Sequence, residues 1–275
     1  MSWCALDIQS PPASRDAVAA WLVSRTGRAV EEREDGVLIG VAEPEGASAL
    51  LDELCRRFGN SVAGSTRLLP EEDWTTRWRG SLGPRRIGRL IVTPSWAVPE
   101  NAGTGLVIID PETAFGTGEH GSTRTALTLL DRYIRPGDRV LDLGSGSGIL
   151  AIAAVKLGAA RAVGVDLDPD AESVARANAE RNGVAAHAVF LTGQAETLTR
   201  LLGPVEIVVA NILRSQNEQL LSVIRDALGA GGWAIFAGIE EAEAAGFRGA
   251  LLARGFTVGD HALDGEWWGV AARAG

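Results

Sequence analysis

Between residues 140 and 151 the chain reads Val-Leu-Asp-Leu-Gly-Ser-Gly-Ser-Gly-Ile-Leu-Ala, a short apolar run that breaks into three alternating glycines before turning apolar again. That pattern is a strand, a sharp turn and a helix. Without a Cβ, Gly144, Gly146 and Gly148 let the backbone bend tightly and lie flat against a planar nucleoside. The dinucleotide fingerprint G-x-G-x-x-G requires glycine at its sixth place, where a helix N-terminus meets a pyrophosphate, and here that place is Ile149. The spacing G-x-G-x-G suits a nucleoside that carries no phosphate. A second strand, Ala162 to Asp166, ends in a carboxylate 18 residues after Gly148, near the spacing expected of a ribose-binding acid. Asp168 then reads as an N-cap and Pro169 as the first helical residue.

Around this centre, short apolar strands alternate with helices from Leu106 to the end, the mark of an α/β, doubly wound, mostly parallel sheet. Its strands are expected at 139–143, 162–166, 188–191, 206–210 and 233–238, with a closing hairpin of 256–258 and 267–272. The N-terminal portion, residues 1–65, reads strand, helix, strand, strand, helix, strand, which predicts a small ferredoxin-like α+β domain. Its first helix (14–24) sets Ala17, Ala20 and Trp21 on one face. Asp35-Gly36 predicts a tight hairpin turn, and the second helix (46–58) carries Leu50, Leu51, Leu54 and Phe58 with Gly59 as cap. Residues 66–93 hold six arginines against three acids and form the expected linker; residues 94–275 form the second domain. Trp74 and Trp78 in that linker suit a packed helix, the preferred reading, although direct RNA contact by stacking stays open.

Composition removes several function classes. With 26 basic and 35 acidic side chains the net charge is −9, which argues against general nucleic-acid binding. Cys4 and Cys55 form no CxxC pair and no disulfide framework, so no metal site is expected and a cytoplasmic setting is. The opening MSWCALDIQS lacks a basic lead, and no apolar run approaches a membrane span, so neither a leader nor a membrane role is expected.

Two further segments narrow the reading. The run Val205-Glu-Ile-Val-Val-Ala-Asn211 ends a buried strand in an amide at the carboxyl edge of the sheet, where open α/β sheets place ligands. Asp110-Pro-Glu-Thr-Ala-Phe-Gly-Thr-Gly-Glu-His-Gly-Ser-Thr123 puts Phe115, Gly116, Thr117 and Gly118 in a polar loop that could close over a cofactor. Together with Ala210-Asn211-Ile212-Leu213, Asp73-Trp74, Trp78, Pro94-Ser95-Trp96 and Gly265-Glu266-Trp267, these residues resemble the PrmA family, methyltransferases of ribosomal protein L11.

The resemblance implies a class I methyltransferase fold that uses S-adenosylmethionine. It also implies an N-terminal domain that captures the ribosomal protein, free or on the large subunit, and lysine ε-amines or an N-terminal α-amine as acceptors. It carries cofactor contacts onto Thr123, Gly144, Asp166 and Asn211, and the glycine turn adds Gly146. Phe115 could lie on the cofactor or fill a hinge, with Thr117 beside it. Asn211 is the candidate for orienting the acceptor amine or the cofactor's methionyl end. His120 is a candidate base, although a lone histidine beside glycines more commonly braces a loop. The chain departs from the family at Glu119, which could attract a cationic amine or face water, and at Arg214-Ser-Gln-Asn after Leu213. Three rival readings remain: a lysine methyltransferase of another soluble protein, a nicotinamide oxidoreductase disfavoured by Ile149, and a binding protein without turnover.

Overall fold

A computed structural model describes all residues except 1–2, 27–29, 33–36, 43, 60–61, 70–82, 102 and 111–117. The chain divides into two units, Met1–Ser81 and Leu82–Gly275.

In the first unit, β1 (Trp3–Gln9), α1 (Arg15–Thr26), β2 (Glu31–Glu32), β3 (Val37–Ala42), α2 (Pro44–Phe58) and β4 (Ala63–Leu69) follow in that order. The strands form one sheet ordered β2-β3-β1-β4, with β1 antiparallel to both β3 and β4. This is the ferredoxin-like arrangement. Leu6, Ile8, Leu22, Leu38 and Leu54 are fully buried between sheet and helices. One expected helix face is different: α1 buries Val18 and Leu22, while Ala17 and Ala20 are exposed and Trp21 is half-buried. Bulky branched side chains remove more apolar area from water than alanines of the same spacing. Gly59 caps α2 at φ 77°, its N–H donating to the Cys55 carbonyl at 2.9 Å. The Asp35-Gly36 turn, Trp74 and Trp78 lie outside the described residues.

The expected linker, 66–93, is strand at both ends. The β1–β4 ladder runs on to the pair Trp3↔Leu69, so β4 extends beyond residue 65. At the other end β5 (Arg85–Ile87) and β6 (Leu90–Thr93) pair antiparallel, and β6 lies parallel to β7 (Leu106–Ile108). Leu90, Ile91 and Val92 are buried, so burial of their side chains draws this segment into the larger unit.

The larger unit is built on β8 (Arg139–Leu143), β9 (Arg161–Asp166), β10 (Ala188–Thr192), β11 (Val205–Asn211), β12 (Leu228–Glu240), β13 (Phe256–Asp264) and β14 (Trp267–Ala274). Their order is β10-β9-β8-β11-β12-β14-β13, and β14 alone runs opposite to the other six. Helices α3 (Gly121–Tyr133), α4 (Ile149–Lys156), α5 (Pro169–Arg181), α6 (Ala195–Leu202), α7 (Arg214–Ala227) and α8 (Ala244–Ala253) accompany the strands. β8 and β11 are neighbours although β9 and β10 intervene in sequence, so the strand order reverses at β8, which is where such sheets open a ligand crevice.

The glycine turn is also a packing solution. Gly148 has φ 80°, and a Cβ there would lie 2.7 Å from Phe190 Cζ and 2.9 Å from Ala175 Cβ. Gly148→Ala therefore lowers stability by about 2 to 4 kcal/mol, from left-handed strain plus overpacking. Urea unfolding reads this directly: a lowered midpoint is expected, and an unchanged one contradicts the packing.

Candidate functional site

Beyond β8 the backbone bends around three positive-φ glycines: Gly144 at 73°, Gly146 at 49° and Gly148 at 80°. The bend is held from two sides. The N–H groups of Gly144 and Ser145 both donate to the Val165 carbonyl, at 2.8 and 3.1 Å. Asn178, fully buried on α5, donates from Nδ2 to the Ser147 carbonyl at 2.9 Å. Asn178 was legible in the sequence only as an amide in the apolar stripe of α5, and its bracing role was missed.

Asp166 completes the bend. Its Oδ2 accepts the Gly146 N–H at 2.8 Å and its Oδ1 accepts the Asp168 N–H at 3.1 Å. Each oxygen keeps a further lone pair for a ligand hydroxyl. Asp168 caps α5 through its side chain, which accepts the Asp170 N–H at 2.9 Å.

A cavity of about 480 Å³ opens here, and its wall includes Gly144, Gly146, Asp166 and Asn211. Asn211 closes β11, its Nδ2 donating to Thr123 Oγ1 at 3.3 Å. Among the described residues its buried Oδ1 meets no hydrogen-bond partner, nor does the Ser145 hydroxyl on the same wall. Unpaired buried acceptors are costly, and a carbonyl left open at a cavity wall is placed to accept from a ligand donor. The structure thus brings Gly144, Gly146, Asp166 and Asn211 to one cavity, with Thr123 fully buried behind Asn211. Phe115 and Thr117 lie outside the described residues.

His120 precedes α3. Its Nδ1 lies 2.8 Å from Ser122 Oγ, and its ring packs on Trp267 with centroids 4.4 Å apart. Glu119 faces neither an amine nor bulk water alone: Arg85 Nε lies 2.9 and 3.0 Å from its two carboxylate oxygens. Gln194 and Gln216 also line the cavity and were missed. Gln194 follows β10 as Asp166 closes β9, so the carboxyl-edge rule that singled out Asn211 would have found it.

Beneath the glycine turn lies a second carboxylate, Asp142, which is fully buried. Its Oδ2 accepts the Ala151 N–H at 3.1 Å, and its Oδ1 has no partner among the described residues. Burial, with a smaller push from the Asp166 charge, raises its pKa to about 7. Among the described residues no group of three or more His, Cys, Asp or Glu is placed to hold a metal, and no helix is long and apolar enough to cross a membrane.

Comparison with known proteins meets the same architecture. The family model described as "Ribosomal protein L11 methyltransferase (PrmA)" matches residues 42–274. The ribosomal protein L11 methyltransferase of Aeromonas hydrophila is 31% identical, with 99% of each chain covered. The chain belongs to the ribosomal protein L11 methyltransferase family. That of Thermus thermophilus is 45% identical over 72% of this chain and 76% of its own. Among solved structures, the ribosomal protein L11 methylase of Lactobacillus delbrueckii superposes with a TM-score of 0.64 at 29% identity, covering 70% of this chain and 100% of its own.

Membership makes the chain an S-adenosylmethionine-dependent enzyme of the class I methyltransferase fold. The cavity fits that cofactor in three respects: a turn that carries no Cβ at residues 144, 146 and 148, a carboxylate with lone pairs to spare, and an amide oxygen that meets no partner among the described residues.

Asp142 generates a pH prediction. Its folded pKa is raised, so between about pH 4 and 7 the folded protein holds a proton that the unfolded chain has released. Stability falls as pH rises through that window and levels off above it. At 1.36 kcal/mol per pKa unit the loss reaches up to about 4 kcal/mol. Asp142→Asn removes it, so urea unfolding at pH 5 and pH 8 gives a variant that gains on the parent at the higher pH. Parallel profiles contradict the assignment.

Proposed function

We propose that this chain transfers methyl groups from S-adenosylmethionine to amines of ribosomal protein L11, namely lysine ε-amines and the N-terminal α-amine. The N-terminal unit captures the protein substrate, and the work is cytoplasmic. The observation that carries the reading is the unpaired Asn211 Oδ1 at the wall of a cavity that also presents Asp166. The names of the family and of its relatives supply the substrate.

The residues divide the labour as follows. Asp166 accepts from ribose hydroxyls while its two backbone hydrogen bonds keep it aimed. The Gly144–Gly146 backbone lies under the nucleoside, and Ser145 offers a second polar contact. When bound, the cofactor supplies a methyl group activated by a sulfonium. Asn211 accepts a hydrogen of the cofactor's methionyl end on Oδ1, which aims the methyl group at the acceptor amine, and Thr123 fixes the Asn211 amide from behind. Leu143 and Ile149 in the wall exclude water.

The acceptor amine must lose a proton before it can react. For a lysine of pKa ~10.4 this costs roughly 4.6 kcal/mol at pH 7, against about 1 kcal/mol for an α-amine near 7.8. An apolar wall lowers the first cost by disfavouring the ammonium form, and a water can carry the proton away. His120, engaged by Ser122 and stacked on Trp267, is assigned to bracing the loop rather than to this proton transfer.

A second reading, a lysine methyltransferase of another soluble protein, rests on the departure after Leu213. Arg214 turns away onto Glu218 at 2.8 Å, whereas Gln216 enters the cavity wall.

Three outcomes test the proposal. Incubation of the full chain with methyl-labelled cofactor and ribosomal proteins, read by mass spectrometry, should place the label on L11; label on another protein alone favours the second reading. Asp166→Ala should weaken cofactor binding in calorimetry by about 1.5 to 3 kcal/mol, and an unchanged affinity contradicts the ribose contact. A chain beginning at Leu82 should bind cofactor as the full chain does but leave L11 unmethylated; full activity would move substrate capture to the larger unit.

A further inference from the structure

The approach to α3 is held by two arginine–carboxylate forks that meet on one residue, Glu119. From β5, Arg85 grips the Glu119 carboxylate with Nε at 2.9 and 3.0 Å and Nη2 at 2.5 Å. From α3, Arg124 donates through Nη1 to the Glu119 backbone carbonyl. The same guanidinium forks onto Asp264, at the end of β13, with Nε and Nη2 at 2.5 and 2.8 Å from its two oxygens.

The segment between the forks has little freedom. A Cβ on Gly121 would lie 2.7 Å from Trp267 Cδ1 and 2.8 Å from the Asp264 carbonyl, so the helix start sits directly on the β13–β14 turn. The N–H groups of Thr123 and Arg124 both donate to the His120 carbonyl, at 3.1 and 3.2 Å. Thr123 in turn accepts from Asn211 Nδ2, which leaves Asn211 Oδ1 open at the cavity. A rigid path therefore runs from Arg85 through Glu119 and the first turn of α3 to the Asn211 amide.

Isolated exposed ion pairs contribute little, but these are bidentate, each has one half-buried partner, and both reach Glu119, one through its carboxylate and one through its backbone carbonyl, the circumstances in which such pairs matter. Glu119 and Arg124 side chains are 29% and 24% exposed. Arg124 holds the Asp264 carboxyl below the usual carboxylate range.

We propose that Arg85 and Glu119 are positioning residues: together with the Arg124–Asp264 fork they set the first turn of α3 and so the orientation in which Thr123 holds Asn211 toward the cofactor. The proposal rests on the reading of Asn211 as part of the cofactor site. It also answers what the acidic departure at 119 does. Its charge is spent on Arg85, so Glu119 is an internal anchor and not a receptor for the substrate amine.

The test uses the full-length protein and S-adenosylhomocysteine as probe, with affinity by calorimetry and thermal midpoint measured on each variant. Glu119→Gln should weaken binding about threefold and Arg85→Glu about tenfold, each with a thermal midpoint within a few degrees of the parent. The exchanged pair, Arg85→Glu with Glu119→Arg, should recover affinity to within about twofold. Unchanged affinity in both single variants overturns the proposal. So does weakened binding that tracks a falling thermal midpoint and is not recovered by the exchange, since that marks a merely structural pair. A parent chain that fails to bind the probe overturns the site itself and the proposal with it, an outcome distinct from both.

Discussion

The hydrogen bond from the Gly146 N–H to the Asp166 carboxylate is the contact on which the site depends. It joins the turn after β8 to the end of β9, on a backbone that takes positive φ at residues 144, 146 and 148. With a side chain at 144 or 148, the turn would strike Ile212, or Phe190 and Ala175. The same glycines that make room for a ligand thus let the sheet close beneath it. Asp166 gains a second N–H from Asp168, which in turn caps α5, so the acid is aimed before any ligand arrives. A group fixed in advance loses little entropy on binding.

Around this contact the protein spends its buried amides on bracing and leaves selected acceptors unpaired. Asn182 takes both hydrogen-bonding groups of Ile108 with Oδ1 and Nδ2, at 2.8 and 2.7 Å, tying β7 to the helix that follows Asp166. Asn217 donates to the carbonyls of Ile212 and Ala237, at 2.9 and 3.1 Å, fixing the chain just beyond Asn211. Asn211 and Ser145 keep open polar atoms at the cavity wall. Rigid surroundings with a few unsatisfied groups are what a preorganised binding site requires.

Much of this was legible in the sequence because its signals are local. Three alternating glycines, an acid at the end of the next strand and an amide at the end of the fourth each announce a backbone bend or a sheet edge within a few residues. The ferredoxin-like order was legible for the same reason. What stayed hidden depends on contacts distant in sequence. Glu119 reads as a free charge until Arg85, 34 residues away, is brought to it by the β5–β6 hairpin. Residues 85–93 read as basic linker because arginines outweigh the buried Leu90, Ile91 and Val92. Ala17 and Ala20 share a face by spacing, but spacing alone does not say which face the larger side chains will claim.

The crevice at the reversal of strand order, the aimed carboxylate and the open amide together form the site proposed for the cofactor, and the family supplies the methyltransferase chemistry. The most direct measurement is the crystal structure of the protein grown with S-adenosylhomocysteine. The account predicts both ribose hydroxyls on the Asp166 carboxylate, the Gly146 N–H still bound to it, and a cofactor donor on Asn211 Oδ1. A ligand seated elsewhere, or an Asp166 rotated away from the glycine turn, would contradict it.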